Sequence, residues 1–277
     1  MPDVSTFLPS HSVVTAPNST PTRYMFVLHG IFGSGGNFRT FIRRVVEACP
    51  DWGFVLVDLR GHGQSLGAPA PHTVETAALD LVHLGAHLKL NLRGIMGHSF
   101  GGKVSLAYAG MRPDELDEVW VLDSTPGVRI DGMKTVGAAH VLDTLDKLPE
   151  TFASRDFFFE QMAASGMARP QIEWLAMNVR RDGDVFRFRL DLSTIRSLLE
   201  DYFMRDLWSV VEQHHHGRLG FIIGGRSITL SQSDRDCLAK LSATNPKLEV
   251  HTLANADHWV HVDDPDGLFA VLHRALG

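Results

Sequence analysis

Gly97-His98-Ser99-Phe100-Gly101 reads G-x-S-x-G, and the residues on either side of it decide how the chain folds. Residues 92–96 are an apolar run of strand length, and residues 103–111 are a small and apolar run typical of a helix. A serine between two glycines on such a strand-to-helix turn has a strained backbone, and a flanking side chain would clash there. The turn lifts the Ser99 hydroxyl clear of the sheet. This arrangement is typical of a nucleophile.

The composition is that of a globular protein. The chain has 277 residues, of which 44% are hydrophobic and 21% charged, enough for one large core or one domain with an insertion. A net charge of −6 without a basic stripe argues against a nucleic-acid partner. We predict no membrane span, because no apolar run approaches ~18 residues. The first 14 residues lack a basic start followed by an apolar run, so we expect no signal peptide and a cytoplasmic location.

The cysteines and a short histidine run are both interpreted as structural features. Cys49 and Cys237 are predicted to be reduced thiols, because two scattered cysteines do not make a disulfide framework. His214-His215-His216 is interpreted as a solvated loop, because no cysteine or carboxylate lies at ligand spacing from it. We therefore predict no metal site.

Apolar runs alternate with helical patterns along much of the chain. The predicted strands are a short edge strand at Val13-Val14 and buried strands at residues 24–29, 53–58, 92–96, 119–122, 219–223 and 248–253. Helical periodicity lies between them, and such alternation predicts an α/β fold, a mostly parallel sheet flanked by helices. In such a sheet, functional groups gather at the carboxyl ends of the strands. The polar residues at these ends include His29, Asp58, Ser99 and Asp123.

This alternation stops at residue 128 and returns after residue 211. We predict a core of residues 1–127 and 212–277, interrupted after the sixth strand by a helical insertion at residues 128–211. The predicted helices of the insertion are residues 136–148, 154–164, 170–178 and 192–210. Its many aromatic residues suit either a surface layer with its own small core or a lid with an apolar acyl pocket on its inner face.

A serine nucleophile needs a base, and the base needs a group that orients it. His258 follows the last strand, and its place after Ser99 fits the chain order serine, acid, histidine. The other histidines fit less well. His98 is expected to point away from the turn, His261 to pack or lie at the rim, and His29 and His62 to be structural.

The orienting acid has two candidates. Many proteins of this organisation place it after the strand at residues 219–223, but the turn there reads Gly224-Gly225-Arg226-Ser227, and serine carries no charge. Asp234 and Asp236 lie further on, in a predicted helix. Asp123 directly follows the strand at residues 119–122, and we favour it. Asp191 in the insertion is the alternative.

The developing negative oxygen needs two backbone donors. The N–H of Phe100 is one by position. The second is expected from the glycine-rich loop after residues 24–29, from Ile31 or alternatively from Phe32.

Together these segments resemble the α/β-hydrolase superfamily. HGIFGSGGNF, DLRGHGQS, GHSFGGK, VLDSTPG, GGRS and NADHWVHVDDP resemble a narrower branch that contains small bacterial acyl-esterases and abhydrolase-domain-containing protein eleven. The resemblance implies serine esterase or thioesterase activity on short-to-medium acyl groups, without a cofactor. In bacterial members the acid maps to Asp123, and in other members it maps to Asp191. The family usually has asparagine where this chain has Arg226.

The predicted function is hydrolysis of small-molecule carboxylic esters or thioesters by Ser99, His258 and Asp123 through an acyl-enzyme. Phe32, His98, Trp174 and Trp259 are expected to line the substrate pocket. The alternatives are a C–C bond hydrolase, a lactonase or a cofactor-free perhydrolase using the same three residues, or a receptor that binds a ligand with little turnover. The sequence leaves the oligomeric state open.

Overall fold

The computed structural model describes residues 7–135 and 137–277. The strands are β1 (His11–Val14), β2 (Arg23–Leu28), β3 (Trp52–Val57), β4 (Leu92–His98), β5 (Glu118–Leu122), β6 (Val179–Asp182), β7 (Val185–Phe188), β8 (Arg218–Gly224) and β9 (Leu248–Leu253). The helices are α1 (Arg39–Ala48), α2 (Val74–Leu88), α3 (Phe100–Met111), α4 (Gly132–Thr135), α5 (Ala138–Leu145), α6 (Arg155–Ala164), α7 (Arg169–Ala176), α8 (Leu192–Met204), α9 (Trp208–Glu212), α10 (Gln232–Thr244), α11 (Val260–Asp263) and α12 (Pro265–Leu276). A 3-10 turn at Gly35–Phe38 leads into α1.

Seven strands form one sheet in the order β1-β3-β2-β4-β5-β8-β9. All neighbours run parallel except β1, which pairs antiparallel with β3 at the edge. The predicted strands are confirmed, and their ends shift by at most two residues. The mostly parallel sheet predicted from the alternation is therefore present.

Both faces of the sheet are buried. Along β2, Phe26 and Leu28 pack with α2 and α3, whereas Met25 and Val27 pack with α1 and α12. Successive side chains of a strand point to opposite faces, so a strand covered by helices on both sides must be apolar throughout. This explains the continuous apolar runs that the sequence shows.

The parallel strands bring the same kind of end to one edge of the sheet. The loops that follow β2, β4, β5, β8 and β9 all leave from the carboxyl edge, because these strands run in one direction. Ser99 follows β4, Asp123 follows β5, and His258 lies in the loop after β9. Residues 159 positions apart in the chain therefore meet at one edge.

The segment predicted as the insertion, residues 128–211, lies between β5 and β8, so it follows the fifth strand rather than the predicted sixth. One strand precedes β2 in the described residues, so the strands up to residue 122 number five, as do the apolar runs that the sequence shows before residue 128. The insertion also contains the antiparallel hairpin of β6 and β7, where only helices were predicted.

The helices of the insertion differ in detail from the prediction. The predicted helix at residues 192–210 is wrong as a single element, because the chain extends after Met204 and starts again as α9, where the Asp206 carboxylate accepts from the Trp208 N–H. The helices at residues 154–164 and 170–178 are confirmed as α6 and α7, with shifted ends. The first residue predicted for the helix at 136–148, Val136, lies outside the described residues, and α5 covers part of that range.

Candidate active site

Ser99 sits on the sharp turn between β4 and α3. Its backbone has φ 53° and ψ −116°, a conformation that costs a non-glycine residue on the order of 1–3 kcal/mol. A Cβ on Gly97 would lie 2.1 Å from the Gly101 carbonyl oxygen. A Cβ on Gly101 would lie 2.5 Å from the carbonyl oxygen of His29. The two glycines are therefore required by close backbone contacts at the turn.

Three side chains from three loops form one hydrogen-bonded chain. His258 Nε2 lies 3.1 Å from Ser99 Oγ, and His258 Nδ1 lies 2.7 Å from Asp123 Oδ2. The Thr229 hydroxyl is also within 2.9 Å of Nδ1. The imidazole thus has a carboxylate on one nitrogen and a hydroxyl nucleophile on the other, the arrangement in which a histidine can act as a general base.

Asp123 is fully buried and its carboxylate is fully hydrogen-bonded. Oδ1 accepts from the Gly224 N–H at 2.9 Å, and Oδ2 accepts from the Ser227 hydroxyl at 2.5 Å as well as from His258. A buried carboxylate without such partners would be costly. The Ser227 hydroxyl occupies the turn in which the sequence lacks an acid, and there it donates to the carboxylate that comes from β5.

Asp191 lies elsewhere. It is the N-cap of α8, where its carboxylate accepts from the Thr194 N–H, the Thr194 hydroxyl and the Ser193 hydroxyl. These bonds lower the pKa of the Asp191 carboxyl, although burial opposes them. Within the described residues, the carboxylate on the His258 ring is that of Asp123 and not that of Asp191.

The loop after β2 is fixed by two buried histidines. His62 Nε2 accepts from the Phe32 N–H at 3.1 Å, and His29 Nε2 accepts from the Leu59 N–H at 3.0 Å. Both rings donate from Nδ1 to a backbone carbonyl, of Arg60 and Gly30 respectively. Burial lowers the pKa of His29 to about 4 and that of His62 to about 3, so both are neutral at pH 7.

These contacts show which of the candidate backbone N–H groups are free to bind an oxyanion. The Phe32 N–H is already used by His62, which removes it as a donor for an oxyanion. The N–H groups of Ile31 and Phe100 have no hydrogen-bond partner within the described chain, and both residues line the cavity beside Ser99. Phe100 is also the first residue of α3, whose N-terminus favours negative charge.

A cavity of about 330 Å³ opens beside Ser99. Its walls come from the loops of the core and from the inner side of the insertion, and they are mainly apolar. The four residues predicted for the pocket, Phe32, His98, Trp174 and Trp259, all line it, as do Val141, Leu175, Leu199, Tyr202 and Phe203. The rings of Trp174 and Trp259 stack at 5.8 Å.

The sequence model of the family described as "alpha/beta hydrolase fold" matches residues 24–170, just over half of the chain. The chain belongs to the α/β-hydrolase family. The match begins within β2 and includes the G-x-S-x-G turn and Asp123.

Curated relatives of this α/β-hydrolase are named for ester hydrolysis. The mouse protein named sn-1-specific diacylglycerol lipase ABHD11 is 29% identical over 243 residues, which cover 86% of this chain and 76% of the mouse protein. Esterase YbfF of Escherichia coli K12 is 28% identical over 269 residues, which cover 95% and 96% of the two chains. A solved structure named "Marine microorganism esterase" has a TM-score of 0.80 at 20% identity, covering 97% of this chain and 99% of that one. That likeness shows the shared fold.

Two polar residues near Ser99 were not identified from the sequence. In the sequence, Ser227 is only a position without a charged side chain, and the sequence predicts no role for Thr229. The sequence did contain a signal for Ser227, because a serine in the turn after β8 is within reach of any carboxylate presented by the neighbouring β5. No pattern in the sequence indicated Thr229.

Lys103 of this α/β-hydrolase is another buried group that the sequence did not reveal. Its ammonium donates to the carbonyl oxygens of Gly127, Tyr202 and Arg205 at 2.8, 2.8 and 2.9 Å. Burial lowers the pKa of Lys103 to about 7. The ammonium therefore ties α3, which starts at the Ser99 turn, to the segment before the insertion and to the end of α8.

His98 and His261 pack around His258. His98 Nε2 lies 2.8 Å from the His258 carbonyl oxygen, and its ring is 4.7 Å from the His258 ring. His261 stacks on Phe38 at 4.3 Å, and neither of its ring nitrogens has a partner among the described residues. Burial lowers the pKa of His261 to about 3 and that of His98 well below its usual range. Both are packing residues rather than bases.

The remaining features concern cysteines, metals and membranes. Cys49 and Cys237 are both free thiols. Over residues 7–135 and 137–277, no cluster of three histidines, cysteines or carboxylates is arranged to hold a metal ion. The helices of the same ranges are all too short or too polar to cross a membrane.

Proposed function

We propose that this α/β-hydrolase cleaves carboxylic esters or thioesters of short-to-medium acyl chains, with Ser99 as nucleophile, His258 as base and Asp123 as the orienting acid. One observation carries the proposal. The hydrogen-bonded chain from Ser99 Oγ through His258 to the buried Asp123 carboxylate ends at the wall of an apolar cavity. A nucleophile, a base and a hydrophobic binding space in contact are what acyl transfer requires.

The proposed reaction has two steps. His258 Nε2 takes the proton of Ser99 Oγ while the oxygen attacks the carbonyl carbon, and the N–H groups of Ile31 and Phe100 hold the developing oxyanion. His258 then gives the proton to the leaving alcohol or thiol, and an acyl-enzyme on Ser99 remains. Water, deprotonated by His258, hydrolyses that ester. Asp123 holds the ring in the tautomer with the proton on Nδ1 and stabilises the imidazolium.

The cavity supports the substrate class. A volume of about 330 Å³ is at the small end of the range of roughly 300–1,000 Å³ for small-molecule sites, which favours modest acyl groups. Residues of α5, α7 and α8 form much of its wall, so we propose that the insertion at residues 128–211 is a lid bounded by core segments 1–127 and 212–277. The names of the relatives, an esterase and a diacylglycerol lipase, agree with ester cleavage.

The test is a series of p-nitrophenyl esters with acyl chains of two to twelve carbons, assayed with the wild type and with Ser99→Ala. We expect turnover to fall at least about 10³-fold in Ser99→Ala, with an unchanged circular dichroism spectrum. The matched control is Ser233→Ala, an exposed serine on α10, which should retain wild-type turnover. Substantial turnover in Ser99→Ala would refute the assignment of the nucleophile. No turnover of any ester by the wild type would move the function to the C–C hydrolase, lactonase or receptor alternatives.

A further inference from the structure

A second cavity, of about 430 Å³, lies between the core and the insertion. The core contributes residues from the start of β1, the glycine-rich loop after β2 and the turn after β3. The insertion contributes Asn178 and the hairpin of β6 and β7 with the residue that follows it. The lining includes Ser12, Ser34, Arg39, Asp58, Asn178, Arg180, Arg181 and Arg189. Nothing in the proposed ester hydrolysis uses this cavity.

The cavity carries an excess of positive charge. Four arginines line it, Arg39, Arg180, Arg181 and Arg189, and none of them has a carboxylate within 4.0 Å in the described part of the chain. The adjacent Arg187, which does not line the cavity, is bound by both Glu150 and Asp182. Within the chain, Arg39 donates to the Ser12 hydroxyl and Arg181 Nε to the Gly183 carbonyl oxygen, both at 2.9 Å. The four positive charges therefore lie together without an ion pair among the described residues, in a chain of net charge −6.

The one carboxylate in the cavity wall is already engaged. Asp58 Oδ1 accepts from the Gly35 N–H at 2.8 Å, and Oδ2 accepts from the Gln64 N–H at 2.9 Å. It therefore fixes the glycine-rich loop instead of pairing with the arginines. The Ser12 hydroxyl accepts a hydrogen bond from Arg39 at 2.9 Å. Other polar side chains in the cavity wall include those of Ser10, His11, Ser34 and Gln64.

We propose that this cavity binds a small molecule that carries a phosphate group. Guanidinium forks match the oxygens of phosphate in pairs, and unpaired arginines from two sides would place several donors on one group. Four arginines against one engaged carboxylate favour a group with more than one negative charge, which phosphate has and a single carboxylate lacks. A volume of about 430 Å³ also leaves room for an organic part of the ligand.

Such a ligand would bridge the two parts of the molecule. Arg39 belongs to the core, whereas Arg180 and Arg189 belong to the insertion. Asn178, which is buried, donates to the Phe32 carbonyl oxygen at 2.6 Å, and its own carbonyl oxygen accepts from the Arg189 N–H at 2.9 Å. A phosphate on these arginines would thus hold the insertion against the loop that carries Ile31, and occupancy should raise the melting temperature.

The test uses the full chain and inorganic pyrophosphate, titrated by isothermal calorimetry at low salt. We expect saturable binding of one pyrophosphate per chain and a higher melting temperature. Arg180→Gln/Arg189→Gln should weaken binding at least tenfold. The matched control is Arg155→Gln/Arg274→Gln, which removes the same charge at exposed positions outside the cavity and should change binding less than twofold. Arg39→Gln tests the core side independently if the double variant does not fold.

Two sources could supply the phosphate, a soluble phosphorylated metabolite or a lipid headgroup. Glycerol 3-phosphate competition against pyrophosphate tests the first. Sedimentation with phosphatidic acid vesicles, compared with phosphatidylcholine vesicles, tests the second. Either result supports the site if Arg180→Gln/Arg189→Gln abolishes it. The proposal is overturned if the wild type binds neither pyrophosphate nor the vesicles, or if the two double variants lose binding equally. Neither outcome bears on Ser99, because turnover of p-nitrophenyl esters is measured separately.

Discussion

Moving the carboxylate from Asp123 to position 227 tests the proposed triad most directly. The His258 Nδ1 to Asp123 Oδ2 distance is 2.7 Å. At an effective dielectric constant of about 20, a charged pair at this distance attracts by about 6 kcal/mol. Because about 1.4 kcal/mol in the barrier is a tenfold change in rate, losing the whole attraction corresponds to a rate roughly 10⁴-fold lower. Part of the attraction between the His258 ring and the Asp123 carboxylate already exists before the proton moves, and that part does not lower the barrier. We therefore expect kcat/KM of Asp123→Ser to fall about 10³- to 10⁴-fold.

A second substitution should restore part of this loss. The Ser227 hydroxyl lies 2.5 Å from Asp123 Oδ2 and 3.1 Å from the Thr229 hydroxyl oxygen. The Thr229 hydroxyl oxygen lies 2.9 Å from His258 Nδ1. A carboxylate at position 227 in a chain without Asp123 should therefore approach the same ring nitrogen. We expect Asp123→Ser/Ser227→Asp to recover at least about tenfold, or about 1.4 kcal/mol, over Asp123→Ser. Ser227→Asp alone should be harmful, because it buries two carboxylates side by side.

The assay is kcat/KM on the best p-nitrophenyl ester, with Asp191→Asn as the comparison. Asp191 caps α8, and asparagine caps a helix about as well as aspartate, so Asp191→Asn should leave both stability and turnover close to wild type. Retention of more than about a tenth of wild-type activity by Asp123→Ser would refute the reasoning. So would a loss in Asp191→Asn as large as that in Asp123→Ser.

Three further predictions concern the scaffold. Lys103→Met leaves three buried carbonyl groups without their donor and should cost on the order of 3 kcal/mol or more in urea unfolding, whereas Lys240→Met on the exposed face of α10 should cost little. Gly101→Ala forces a Cβ against the backbone of His29 and should lose both stability and turnover, while Gly36→Ala, whose nearest contact is 3.5 Å away, should retain both. Burial lowers the pKa of His261 from its ordinary 6.5 to about 3, so between these pH values the histidine is protonated in the unfolded protein but not in the folded one. The free energy of unfolding should therefore fall by about 2 kcal/mol per such histidine from pH 7 to pH 5. His261→Leu should reduce this fall when unfolding is measured at both pH values.

The sequence allowed the sheet and the Ser99 turn to be predicted because both depend on local patterns. Continuous apolar runs such as β2 must be covered on both faces, and Gly97 and Gly101 meet backbone atoms at 2.1 and 2.5 Å. These constraints act within a few residues of each position. Neither constraint depends on which distant segment packs against the strand, so both can be predicted from the sequence before the fold is known.

The hairpin in the insertion was missed although the sequence contained a signal. Gly183-Asp184 separates the paired residues Val179–Asp182 and Val185–Phe188, and Gly183 has φ 63°, the backbone that the first position of a tight two-residue hairpin turn demands. The arginines of β6 obscured the alternation, because Arg180 and Arg181 are adjacent and both exposed, so the strand shows no apolar residue alternating with a polar one. A strand without such alternation lacks the pattern from which it could have been predicted.

The acid was ambiguous for a physical reason that the structure makes clear. A carboxylate reaches His258 Nδ1 from the end of β5 as readily as from the turn after β8, because the two strands are neighbours and pair from Glu118↔Arg218 to Leu122↔Ile222. The pattern of strands alone does not reveal which of two adjacent strand ends supplies the charge. It can reveal that the other end must then supply a hydrogen-bond donor, since a buried carboxylate needs partners for both oxygens. Ser227 and the Gly224 N–H meet that need here. A serine in place of an acid after β8 is therefore itself an indication that the carboxylate comes from β5.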